Sequence, residues 1–187
     1  MTFIWILLAI VVVVAIFGIT IYNRLVALRQ AVNQAWGDID VQLKQRYDLI
    51  PNLVETVKGY ASHERETLEA VTQARQQAID ASSLQDQQQA ENLLTGALRQ
   101  LFAVAEAYPD LKANQNFLEL QRELSDVENK IAAARRFFNN SVAELNTAVE
   151  QFPAVLFAAP LGFSKKEYFE VDVDDRAKVE AAPDVSF

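Results

Sequence analysis

From Phe3 to Ile21 the chain runs for 19 residues without a charged side chain, and only Gly18 and Thr20 interrupt its apolar character. At a helical rise of 1.5 Å per residue this run spans roughly 28 Å, about one bilayer hydrocarbon core. Trp5 near one end and Tyr22 at the other suit the two headgroup interfaces. A buried core helix is the bland alternative, but one this long would normally carry a polar stripe. A cleaved signal peptide needs a basic start and a small-x-small cleavage site. Here no Lys or Arg precedes the run, which ends Ile19-Thr20-Ile21-Tyr22-Asn23. The expectation is a retained single-pass anchor over residues 1–22, with Phe3, Trp5, Leu8, Val12, Ile16 and Ile21 among the membrane-spanning side chains. Arg24 and Arg29 follow the run. The positive-inside rule then places the N-terminus outside and the body in the cytoplasm.

The rest of the chain is patterned for helices. Ala, Gln, Leu and Glu are abundant, while Gly and Pro number five each. Straight-chain residues lose little rotamer freedom in a helix, so this composition favours long ones. Leu25, Leu28, Val32, Trp36, Ile39, Leu43, Ile50, Leu53, Val57, Ala61, Leu68 and Val71 step by three, four or seven, the stripe of a bundle helix. Pro51 interrupts it, since its ring disfavours α geometry at Ile50 and deletes a helix hydrogen bond. Two readings stay open: a hairpin turn at Pro51, or a long helix that kinks there. Gly59 with Ser62 is a third place to turn.

Further along, Asp80-Ala81-Ser82-Ser83 is a turn, and Ser83 with Asp86 resembles a capping box. A helix from about Leu84 to Ala107 follows, with Leu93, Leu94, Leu98, Leu101 and Val104 expected inward. Tyr108-Pro109-Asp110 breaks the chain, and a last long helix is expected over Leu111 to Gln151. The fold class is therefore all-α: a transmembrane helix, an antiparallel bundle of four helices over residues 23–152, and an irregular tail over 153–187. The tail opens with aromatic residues. Phe157, Phe163, Tyr168 and Phe169 are candidates for a packing or partner surface. Residues 164–187 hold seven acidic and four basic side chains, a net of −3, and are expected to be mobile.

Charge and residue types exclude several chemistries. A net charge of −8 suits neither nucleic acid nor an anionic lipid surface along the main body. The chain has no Cys, so thiolate metal sites and a cysteine nucleophile are ruled out. A di-iron bundle needs two Glu-x-x-His sets with further glutamates. Here His63 is the single histidine, and Glu66 follows it in the reverse order. Asp38, Asp40, Lys44, Arg46 and Asp48 are dense charges near the membrane exit. They are either a solvated helix face or a buried polar network that fixes helix register. The five glycines are scattered, and no phosphate loop or nucleophile–base set is present. The chain is expected to be non-enzymatic, without cofactor or small-molecule substrate. Its expected partners are the lipid bilayer and either a second copy or another membrane protein.

The chain resembles the LemA family. The resemblance rests on Tyr22-Asn23-Arg24-Leu25-Val26 with Asp38-Ile39-Asp40-Val41-Gln42-Leu43-Lys44, and on the long run from Arg46 to Ala61 followed by His63-Glu64. Ala134 to Asn139, Phe152-Pro153, Gly162-Phe163 and Tyr168-Phe169 add to it. Gly37 departs from the pattern, standing where a better helix former is expected. What the resemblance implies is a membrane-anchored antiparallel helical bundle in a bacterial inner membrane. It supplies no settled activity. Some relatives are linked to membrane organelles of magnetotactic bacteria, which implies a scaffold or adaptor by analogy. A carboxylate–metal bundle enzyme and a membrane-linked sensor are the alternatives. The first requires Glu64, Glu66, Glu119, Glu123 and Glu128 to converge inside the bundle, and the second leans on Pro51.

Overall fold

The computed structural model describes residues 2–169; the acidic stretch beyond Phe169 lies outside the described residues. Among the described residues five α-helices follow one another: α1 (Thr2–Lys58), α2 (Arg65–Asp80), α3 (Leu84–Glu106), the short α4 (Pro109–Lys112) and α5 (Gln115–Glu150). A 3-10 turn, Ala154–Leu156, comes after them. No strand forms among the described residues. The protein is all-α, and α1, α2, α3 and α5 are the four long helices among the described residues.

The chain divides into two compact units. The first joins Met1–Asp40 to Ala133–Tyr168, and the second is built on Val41–Ala132. α1 therefore gives about two thirds of its length to the first unit and the rest to the second, while α5 divides evenly between them. In the first unit Leu25 packs with Ala148, Ala158 and Phe163, and the Trp36 ring meets the Phe138 ring at 5.6 Å. The pairings run in opposite order along the two helices, so α1 and α5 are antiparallel there. In the second unit Leu43, Ile50, Leu53, Val57, Val71, Leu94, Leu101, Val127 and Ile131 are buried. Each such side chain contributes roughly 1.5–3 kcal/mol on leaving water.

α1 passes through Pro51 without interruption, so no hairpin forms there. A proline removes the amide that would bond the carbonyl four residues earlier, here Tyr47. That carbonyl accepts instead from Arg75 Nε of α2, at 2.7 Å. With the orphaned acceptor satisfied from outside, the helix continues to Lys58. The chain turns at Gly59 to Glu64, where Ala61 N bonds Val57 O at 2.8 Å and Glu64 N bonds Ala61 O at 3.1 Å. The α2–α3 turn is capped as the sequence predicts, with Ser83 Oγ accepting from Asp86 N at 3.1 Å.

Two expectations need correction. Leu93 is exposed, because its neighbour Leu94 occupies the inward phase of α3. The last long helix starts at Gln115, not Leu111, because residues 109–112 form their own turn and Asn114 caps the new helix. Asn114 Oδ1 accepts from Phe117 N at 3.0 Å, the bond a helix start requires.

Candidate functional site

Two features stand out, one in each unit. In the second, α1 places Arg46 at a fully buried core position. Its two terminal nitrogens are both engaged. Nη1 donates to Glu91 Oε2 of α3 at 2.6 Å, and Nη2 donates to Thr95 Oγ1 at 2.9 Å and is ion-paired with Glu128 Oε1 of α5 at 2.8 Å. Glu91 is buried with it and accepts at its other oxygen from the Tyr47 hydroxyl. Gln87 Nε2 supports both, lying 2.9 Å from the Tyr47 hydroxyl and 3.0 Å from Glu91 Oε1. Burial, and then the hydrogen bond to Glu91, hold the Tyr47 phenol well above its ordinary pKa. It stays protonated and donating throughout the physiological range.

Of the five charges read as either a solvated helix face or a buried polar network, only Arg46 enters a network. Asp38, Asp40, Lys44 and Asp48 are exposed. The reason is phase. Ile39, Leu43, Arg46, Ile50 and Leu53 step by four, three, four and three along one face, and the other charges fall off that face. The members that sequence reasoning missed, Glu91, Tyr47, Gln87 and Thr95, are brought in from the same stripe and from α3. Glu91 carries the same signal, since it is in phase with Leu94, Leu98 and Leu101.

The first unit presents a different surface. Phe3, Trp5, Leu8, Val12 and Ile16 are all exposed, while Ile21 is half-buried against the Leu25 cluster. The stretch is long and apolar enough to cross a membrane. Beyond α5, the aromatic tail residues divide. Phe163 packs into the Leu25 cluster and meets the Tyr22 ring at 5.8 Å, and Phe169 is buried. Phe157 and Tyr168 remain about half exposed. Asn146, buried on α5, holds this segment by its main chain. Its Nδ2 donates to Lys166 O at 2.9 Å and its Oδ1 accepts from Lys166 N at 2.8 Å. Phe163 N returns to Ala158 O at 2.9 Å through a turn in which Gly162 takes φ +78°, a conformation that excludes most side chains.

The groups on which a metal enzyme would depend do not converge. His63, Glu66, Glu119 and Glu123 are exposed. Glu64 accepts from the Tyr108 hydroxyl at 3.1 Å, and Glu128 pairs with Arg46. Among the described residues no three His, Cys, Asp or Glu side chains gather as metal ligands. Between α2 and α3 lies an open groove of about 760 Å³, lined by uncharged residues that include Ala70, Gln73, Gln77, Leu93, Gly96 and Gln100.

An all-α chain whose first helix begins as an exposed apolar stretch of bilayer length, and continues without a loop into a body locked by a buried ion pair, defines a helical-bundle protein with a candidate membrane anchor. It belongs to the LemA family, whose sequence model matches residues 35–187. It is 28% identical over 162 residues to Protein LemA of Metamycoplasma hominis, an alignment covering 81% of this chain and 73% of that protein. It is 25% identical over 174 residues to magnetosome protein MamQ of Magnetospirillum gryphiswaldense, covering 79% of this chain and 64% of that protein. MamQ 1 of Paramagnetospirillum magneticum is 22% identical over 175 residues, again with 64% of its length covered. The chain thus spans less than two thirds of the magnetosome proteins that it matches.

Proposed function

We propose that this protein is a membrane-anchored, non-catalytic scaffold that gathers a second copy or another membrane protein at a bacterial inner membrane. The observation that carries the reading is the continuity of α1. One helix of 57 residues is exposed and apolar over its first third, then supplies core positions to both units. A chain built this way puts a helical body beside the bilayer without a flexible tether. The buried charges support the same reading, because Arg46, Glu91, Tyr47 and Glu128 are consumed in contacts with one another. The likeness to magnetosome proteins adds support for a role at a membrane compartment.

The uncharged groove beside Leu93 is a face on which a partner helix can lie. A photo-crosslinking amino acid at exposed Leu93, introduced in the full chain in its native membrane, tests the scaffold. Discrete adducts with a second copy or with one membrane protein are the expected result. A chain that stays monomeric at every crosslinking site on the body overturns it.

The arginines after the span orient the body toward the cytoplasm. The chain contains no Cys, so a single Cys at exposed Ser82 reports the side directly. An impermeant maleimide should leave it unlabelled until the cells are lysed. Labelling of intact cells would reverse the orientation.

A further inference from the structure

Phe152 to Phe163 is twelve residues with no charged or hydrogen-bonding side chain. A loop of that composition would be expected to bury itself, and part of it does, since Ala154, Ala158 and Phe163 are in the core of the first unit. The remainder points outward. Phe152 is 81% exposed, and Val155, Leu156, Phe157 and Leu161 are exposed beside it. Five large apolar side chains over so short a stretch are more than a water-facing loop ordinarily shows.

Their position gives the reason. Phe152, Pro153 and Ala154 face Phe17, Thr20, Ile21 and Arg24 across a shallow cavity of about 270 Å³. Phe17 to Ile21 is the last turn of the apolar stretch. Four residues of helix are about 6 Å deep, within the roughly 5–10 Å that interfacial apolar side chains enter a leaflet. Two basic groups lie beside the patch: Arg24 of α1, which lines the same cavity, and Arg29, whose guanidinium lies 4.9 Å from the Phe163 ring centre, whereas Lys165 is paired with Glu150. Long cationic side chains at such a rim reach lipid phosphates while their stems stay apolar.

We propose that Phe152–Phe163 is a second membrane contact, an apolar collar seated in the headgroup region of the leaflet through which α1 leaves the bilayer. The proposal rests on the reading of Phe3–Ile21 as a span. Its occupant is lipid, because the exposed patch continues the exposed face of that span and acyl chains already surround the neighbouring turn. The Asn146 clamp and the Gly162 turn hold the collar at that depth.

The test uses the full chain in phosphatidylcholine vesicles that carry nitroxide groups on the acyl chains. Single Leu156→Cys, Val12→Cys and Gln34→Cys variants carry an environment-sensitive fluorophore, and helicity by circular dichroism confirms that each is folded. Val12 reports the span, and exposed Gln34 reports water. At Leu156 the expected result is several-fold stronger quenching by the nitroxide lipid than at Gln34, with several-fold protection from aqueous iodide. Iodide quenching at Leu156 equal to that at Gln34, with Val12 still quenched by nitroxide, overturns the collar and leaves the span intact. Protection of Leu156 from both quenchers means that protein covers the patch, which also overturns it. Loss of nitroxide quenching at Val12 overturns the span, and the collar with it.

Discussion

At the scale of residues, the buried Arg46–Glu91 pair sets a strong expectation. Two charges taken out of water repay the cost only when both are fully bonded, and Arg46 Nε has no protein acceptor among the described residues. Arg46→Met should destabilise the full chain in detergent by roughly 3–5 kcal/mol, because the buried Glu91 carboxylate loses the opposite charge that compensates it. The double variant Arg46→Met, Glu91→Leu should recover most of that loss in guanidinium unfolding followed by circular dichroism. If the double variant is as unstable as the single one, the pair contributes more than compensation. Tyr47 gives a pH signature. Its folded pKa is raised, so its contribution is complete below the unfolded phenol's value of about 10 and fades as pH climbs above that. The stability advantage of the native chain over Tyr47→Phe should be flat from neutral to mildly alkaline pH and shrink beyond it.

Both buried charges were legible in one respect and hidden in another. Arg46 and Glu91 each keep the three–four rhythm of their apolar neighbours, so a charge in core phase was written in the sequence. Density along the chain grouped Arg46 with Asp38, Asp40, Lys44 and Asp48, and nearness in sequence says little about which face of a helix a residue occupies. The partner of Arg46 was not legible, because it lies 45 residues away on another helix.

At the scale of elements, Pro51 shows how a local rule yields to a tertiary contact. The proline orphans the Tyr47 carbonyl, and Arg75 supplies the missing donor. Arg75→Ala should cost about 1–3 kcal/mol, the range for leaving a buried acceptor unsatisfied. In a Pro51→Ala background the restored amide bonds that carbonyl, so the same substitution should cost much less. Equal costs in the two backgrounds, measured by a double-mutant cycle, would separate the two residues. The Ser83 cap was readable because donor and acceptor are three residues apart. The Asn114 cap was not, since Pro109 five residues earlier already supplied a helix start, and α4 closes as a separate turn with Leu111 buried.

At the scale of the molecule, the candidate span was the plainest part of the sequence, because a bilayer imposes a length and an apolarity that few other environments demand. Two arginines at Leu8 and Val12 would each cost roughly 2.5–3.5 kcal/mol at the centre of a span. Such a chain should be released by alkaline carbonate, whereas the native chain should remain in the membrane pellet. The exposed apolar face of the segment after α5 was less legible. Its aromatic content was evident, but which rings turn inward depends on the docking of Ala158 and Phe163 against Leu25.

Asn146 grips the amide and carbonyl of residue 166, not its side chain. Every amino acid but proline offers those same two atoms. Position 166 is therefore open to almost any substitution, while position 146 is nearly closed. Over generations the residues that follow Gly162 can drift in charge and size, tuning the surface they present to a new environment, without ever letting go of the helix that holds them.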